Sequence, residues 1–199
     1  MKTLLLTGFE PFLDFPINPT EKIVKELDGQ TIGDYQIKGL LLPVTYDEAG
    51  QRVLDAVNQI NPDAVISLGL AGGRENITPE RIAINCRDGA PDNKGVILND
   101  APIYEDGPAG YFSKLPIRKF VETLKEHGYP AEISNTAGTY LCNNVMYTVL
   151  HALKDKNVPA GFVHIPASHE LAVNQKKRIP SWSSRDLLEA VKIMINVLD

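Results

Sequence analysis

Three side chains in this sequence combine a reactive or titratable group with a placement suited to covalent chemistry: Cys142, His164 and Glu80. In the segment ISNTAGTYLCNNVMYTVLHAL an extended run ends near Asn135, a Thr-Ala-Gly-Thr turn follows, and Cys142 falls within the first turns of a helix. A helix N-terminus offers unpaired N–H groups and a positive partial charge, which favour a thiolate and can supply donors to an oxyanion. Helix starts and cationic neighbours bring thiol pKa values down to roughly 3.5 to 7.5. The alternative for Cys142 is a small buried hydrophobe between Leu141 and Val145, which is also the expectation for Cys86 at the end of an apolar run.

His164 ends the apolar run of AGFVHIP. If that run is a strand of an open α/β sheet, the histidine stands at the carboxyl edge, where ligands gather and where the turn before Cys142 also arrives. An imidazole there can take a thiol proton and return it to a leaving amine, work worth roughly 10²- to 10⁴-fold in rate. A satisfied core histidine is the other reading, and His169 lies close enough in sequence to compete for the role. His127 and His151 read as surface or helix-packing residues. Glu80, in GLAGGRENITPERIAINC, stands just before an apolar stretch and needs a partner: either the Nδ1–H of an imidazole, whose tautomer it would fix, or Arg81 or Arg74 in an ion pair. At the start of a strand it reaches the catalytic edge only if that strand runs antiparallel or a loop folds back.

The elements that must position these groups alternate. Extended runs are expected at Lys2–Thr7, Tyr35–Val44, Ala64–Gly69, Glu80–Cys86, Ala131–Asn135 and Gly161–Ile165. Amphipathic helical patterns lie between them, so the expected fold is α/β: a single domain over 1–199, with a mixed, mostly parallel sheet and helices on both faces. Asn18 followed by Pro19 caps and opens a helix that ends at Gly29, and Thr45 with Glu48 reads as a capping box. A third helix opens near Pro116, aligns Ile117, Phe120, Val121 and Leu124, and stops at Gly128 and Pro130. The last begins near Ser184 and aligns Leu187, Val191, Met194 and Leu198. The stretch from Cys86 to Pro116, rich in Gly, Pro, Asp and Asn, is too long for a simple connection and reads as a functional loop.

The chain has 20 basic and 25 acidic residues, a formal net charge of −5, and scattered basic residues apart from Lys176, Lys177 and Arg178, which argues against nucleic acid as a partner. Glu10, Pro11 and Asp14 interrupt the opening MKTLLLTGFEPF well short of a signal-peptide core, and no apolar run has the roughly 18 residues of a membrane span. A soluble cytoplasmic protein with reduced cysteines is therefore expected.

Together with the opening TGFEPF, the three chemical segments resemble pyroglutamyl-peptidase I, also called pyrrolidone-carboxylate peptidase. The resemblance runs from Thr7 to Pro166 through TGFEPF, INPTE, LGLAGGR, ITPERIAIN, PDN, GPAGYFSKLPI, SNTAGTYLCN and GFVHIP, in the family's order. It implies a Glu80, Cys142 and His164 triad that removes an N-terminal pyroglutamyl residue through a thioester acyl-enzyme, with no metal or other cofactor. It also implies a pyroglutamate pocket of Phe9, Phe12, Tyr140 and Leu141, polar contacts from Asn18 and the backbone around Leu70, pyroglutamylated peptides as substrates, and a homo-oligomer, tetramer or dimer. The chain departs from the family pattern at Leu13, Asp14 and Phe15, where glycines are usual, and at Leu70, where Gln is common. It departs again at 88–91, where an arginine and an apolar pocket residue are missing, and at Ala167, Ser168, His169 and Glu170.

Other readings use fewer of these residues. A nucleoside phosphorylase-like enzyme could hold phosphate at AGGR, which is neither a P-loop nor a dinucleotide fingerprint. An inactive binding protein would keep the fold and the aromatic pocket, and the altered 88–91 loop is its support. A zinc hydrolase built on His164, His169 and Cys142 fits no familiar ligand spacing.

Overall fold

The runs at 4–9, 64–70 and 160–165 are buried at every residue, as strands covered on both faces must be. The computed structural model describes residues 1–12 and 15–198. In chain order its elements are β1 (Lys2–Phe9), α1 (Pro19–Leu27), β2 (Thr31–Ile32), β3 (Tyr35–Leu42), α2 (Ala49–Ile60), β4 (Ala64–Leu70), β5 (Thr78–Pro79) and β6 (Ile82–Ile84). There follow β7 (Gly110–Phe112), α3 (Ile117–Glu126), α4 (Leu141–Ala152), β8 (Ala160–Ile165), β9 (Ala167–Ser168), α5 (His169–Ala172), β10 (Ser181–Trp182) and α6 (Ser184–Asn196). The departure from the family pattern at Leu13 and Asp14 lies outside the described residues.

The main sheet has the order β2-β3-β1-β4-β8-β5. Its four inner strands are parallel, and β2 and β5 run antiparallel at the edges. This is the expected α/β arrangement, and the alternation of side chains along each strand divides the core in two. Leu4, Leu6, Ile66, Val163 and Ile165 face α1, α3 and α6, while Leu5, Val65 and Phe162 face α2 and α4. From β1 the chain moves first to β3 on one side and then to β4 on the other. The strand order therefore reverses between β1 and β4, and the crevice beyond their carboxyl ends, at Phe9 and Leu70, is where such sheets take ligands.

Several helix boundaries follow the local signals. The Asn18 side chain accepts from Thr20 N at 3.1 Å, Ser183 accepts from Asp186 N at 3.0 Å, and Gly29 and Gly128 take positive φ after α1 and α3. The Thr45–Glu48 capping box does not form. The helix begins at Ala49, the Thr45 hydroxyl has no hydrogen-bond partner among the described residues, and Glu48 turns outward to Lys94. Tertiary contacts hold this turn instead: the Asp92 carboxylate accepts from Tyr46 N at 2.9 Å, and Asn93 N donates to Val44 O at 2.9 Å.

Two expected strands also differ. The run Glu80–Cys86 is not one strand: Thr78–Pro79 pairs antiparallel with β8, the chain turns at Glu80, and Ile82–Ile84 pairs with β7 away from the main sheet. The turn is held from two sides, since Glu80 N donates to Phe162 O at 2.9 Å and Arg81 N to Ser134 O at 2.8 Å. Ala131–Asn135 makes only isolated bridges, Ile77 with Ala131 and Glu80 with Ser134, so it supports that turn without forming a strand.

Candidate active site

β8 ends beside β5, with His164 opposite Thr78 in antiparallel register. Glu80 follows β5 in the turn rather than beginning a strand, and the antiparallel pairing of β5 with β8 brings that turn, with its carboxylate, to the edge that carries His164. Glu80 Oε1 stands 2.7 Å from His164 Nδ1, and both groups are buried. A carboxylate accepts only, so Nδ1 carries the proton and Nε2 is left for another partner. The same Oε1 accepts from Arg74 at 2.7 Å, and Arg74 also donates to Thr78 Oγ1 at 2.6 Å. Glu80 thus has both kinds of partner that the sequence allowed, while Arg81 is engaged with Asn135 Oδ1 at 2.7 Å.

The electrostatics of the pair are mutual. Burial alone would raise the Glu80 carboxyl, but the hydrogen bond and charge of His164, followed by Ser134 and Arg74, hold it below its ordinary value. Burial likewise opposes a charged imidazole. The Cys142 sulfur, as charge and as hydrogen-bond partner, and then Glu80, outweigh it and push His164 up to about 9.

Cys142 is the second residue of α4, half-buried and unpaired with Cys86. The turn before it depends on Gly138 at φ 78° and is pinned to the 88 loop, where Asp88 N donates to Thr139 O at 3.0 Å and Thr139 Oγ1 to Asp88 O at 2.8 Å. Tyr140 takes the N-cap position with extended backbone and caps nothing with its side chain, so the first N–H groups of α4 are not consumed by a cap. The next residue, Asn143, is buried and ties α4 to β6. Its Oδ1 accepts from Ile84 N at 2.9 Å, and its Nδ2 donates to Ile84 O at 2.8 Å and Cys86 O at 3.0 Å.

A pocket opens at the sulfur. Phe9, Phe12, Asn18, Leu70, Tyr140 and Leu141 line it together with Val44 and Cys142, at the strand-order reversal between β1 and β4. The Asn18 amide is mostly occupied: Oδ1 accepts from Thr20 N and from Thr20 Oγ1 at 2.8 Å, and Nδ2 donates to Glu10 O at 3.1 Å, leaving one N–H. The amide after Leu70, Ala71 N, is engaged with Ile165 O at 2.9 Å.

The comparisons with known proteins agree across the whole chain. The sequence profile of the pyroglutamyl peptidase family matches residues 1–199. The chain belongs to the pyroglutamyl peptidase family. It is 52% identical over 198 residues to the pyrrolidone-carboxylate peptidase of Halalkalibacterium halodurans, covering 98% of each chain. To that of Pyrococcus furiosus it is 46% identical over 200 residues, covering 98% of this chain and 96% of the relative. The solved pyrrolidone carboxyl peptidase of Thermococcus litoralis superimposes with a TM-score of 0.96 at 41% identity, covering 100% of this chain and 93% of that one.

As a pyroglutamyl peptidase the protein is a cysteine exopeptidase, and the phosphorylase-like and inactive-binder readings find no support. The zinc set is not assembled: His169 is exposed, its Nδ1 2.9 Å from Ser181 Oγ, and among the described residues no three His, Cys, Asp or Glu cluster to hold a metal. Among the described residues no helix is long and apolar enough to cross a membrane. Cys86 departs from expectation, being a half-exposed loop residue after β6 rather than a buried strand thiol, and burial followed by Asp100 and Asp88 raises its pKa. His127 is exposed, and His151 packs on Tyr104 with ring centroids 4.2 Å apart. Sequence reasoning missed Asn143 and Val44. An asparagine directly after a helix-start cysteine was the available signal for the first, but its partners lie 59 and 57 residues away.

Proposed function

We propose that this enzyme removes an N-terminal pyroglutamyl residue from peptides, with Cys142 as nucleophile, His164 as general base and acid, and Glu80 as the group that orients and charges the imidazole. The single observation behind this reading is the 2.7 Å Glu80–His164 bond at the strand edge where Cys142 lines an aromatic pocket. The Cys142 thiol passes its proton to His164 Nε2, the sulfur attacks the pyroglutamyl carbonyl, and the helix-start N–H groups of α4 receive the developing oxyanion. His164 gives its proton to the departing amine, leaving a thioester. It then takes a proton from water, whose attack releases 5-oxoproline and restores the thiol.

Specificity follows from the walls. The lactam is flat, small and uncharged, so Phe9, Phe12, Val44, Tyr140 and Leu141 supply apolar surface, and the free N–H of Asn18 with the backbone near Leu70 supplies polar contacts. A prolyl ring lacks the lactam carbonyl and would leave those polar groups unpaired, which discriminates more strongly than a missing methylene. The whole chain acts as one domain, in the cytoplasm and as a homo-oligomer, tetramer or dimer; light scattering at micromolar concentration would read out the assembly.

The test is a chromogenic pyroglutamyl amide set against the prolyl amide, each before and after thiol alkylation. Hydrolysis of the first alone, abolished by alkylation, is the expected result. Equal kcat/KM for the prolyl amide would overturn the specificity, and activity that survives alkylation would overturn the thiol mechanism.

A further inference from the structure

Gly69 lies in the interior of β4, opposite His164 in the parallel register with β8. Glycine weakens a strand, and inside one it often marks a close approach by another group. Gly69 is not among the positive-φ residues, so its backbone would accept any side chain. The constraint is space. A Cβ built on Gly69 would stand 2.9 Å from the Cys142 sulfur and 2.6 and 2.7 Å from two ring carbons of Phe162, closer than real Cβ atoms come.

Phe162 cannot yield. It is fully buried, its ring lies 5.0 Å from the His164 ring and 6.4 Å from that of Phe9, and its carbonyl accepts from Glu80 N. One phenylalanine thus touches the carboxylate residue through its backbone and the imidazole through its ring. Over Gly69 its ring edge shares with the sulfur the volume that a methyl group would take.

We propose that Gly69 is a positioning residue for the reaction: the side chain it lacks leaves the notch that holds the Cys142 sulfur against the strand edge, over the residue that stands opposite His164. This rests on the roles proposed for Cys142 and His164. The atoms nearest a methyl group at position 69 are the Cys142 sulfur and the Phe162 ring rather than the apolar walls Phe9, Phe12, Val44, Tyr140 and Leu141, so the notch sets turnover more than substrate binding. It also sets how strongly the sulfur's charge is felt by the imidazole.

The test is Gly69→Ala, read by steady-state kinetics and by NMR titration of His164. A displacement near 1 Å costs on the order of 100-fold, so kcat should fall by about that factor with KM little changed. The His164 titration should move down from about 9 toward 6.5, since the sulfur is a principal cause of its upward shift. A strand defect that left the sulfur in place would not move that titration. Should Gly69→Ala fail to fold, Gly69→Ala with Phe162→Leu removes the ring clash and keeps the clash with sulfur; compared with Phe162→Leu alone, it should show the same two changes. A folded variant with undiminished kcat and an unmoved His164 titration overturns the proposal. Cys142→Ser assayed in parallel separates the two ideas, because full activity there would overturn the assigned nucleophile instead.

Discussion

At position 142 a helix-start sulfur stands close enough to His164 to raise its pKa, whereas at position 86 a sulfur sits half-exposed in a loop flanked by Asp88 and Asp100. Cys142→Ser keeps the shape but replaces the thiol with a poorer nucleophile, so turnover should be almost lost in a protein that still folds. Cys86→Ser changes no buried surface of consequence, and its stability should stay within about 0.5 kcal/mol of the parent, with kcat unchanged. Activity that tracks Cys86 would refute the assignment. Glu80→Gln isolates the charge: kcat should fall by roughly 10²-fold or more, because the imidazolium loses its counterion while Arg74 keeps a neutral partner. NMR of the variant should show the His164 titration displaced downward, in keeping with the contribution of Glu80 to its elevation.

At the scale of the element, the start of α4 is set by side-chain contacts to a distant strand rather than by a cap of its own. Asn143 satisfies both backbone groups of Ile84 and the carbonyl of Cys86, so Asn143→Ala removes three hydrogen bonds at a buried junction. Urea denaturation should show a loss of about 2 to 3 kcal/mol, and kcat should drop in the fraction that stays folded because Cys142 is the preceding residue. Thr45→Ala is the contrast. A working N-cap threonine costs about 1 kcal/mol when replaced, but Thr45 Oγ1 bonds nothing among the described residues, and its loss should be nearly neutral. The β5 to β6 turn carries the same lesson: its geometry comes from Phe162 O and Ser134 O, both supplied by other segments.

For the whole molecule, the buried pair links the site to the stability of the fold. His164 is raised from 6.5 to about 9, so its contribution is fully present below pH 6.5 and is lost as pH rises to about 9. Glu80 is lowered from 4.5, so its contribution is present above pH 4.5 and is lost as pH falls through its folded value. Together they place the maximum from this pair between pH 4.5 and 6.5. Chemical denaturation of the resting enzyme should show stability declining from pH 6.5 to 9, and His164→Gln should flatten that limb. An equal decline in the variant would assign the linkage to other groups.

The amino-acid sequence by itself determined the alternation of apolar strands and amphipathic helices, the Asn18 and Ser183-region helix starts, the glycine stops, and the helix-start position of Cys142, because each depends on neighbours within a few residues. It also carried the family, since the motifs keep their order along nearly the entire chain. Only the tertiary structure decided that Glu80 meets His164, 84 residues away, and that both Arg74 and the imidazole share one oxygen. The failure of the Thr45–Glu48 box and the break in the 80–86 run belong to the same class. A local signal such as a cap typically contributes about 1 kcal/mol, and the buried contacts of Asp92, Phe162 and Ser134 compete with it from across the fold. The volume over Gly69 is the extreme case: a missing side chain gives no local signal, and its meaning comes only from the sulfur and the ring that fill the space in its place.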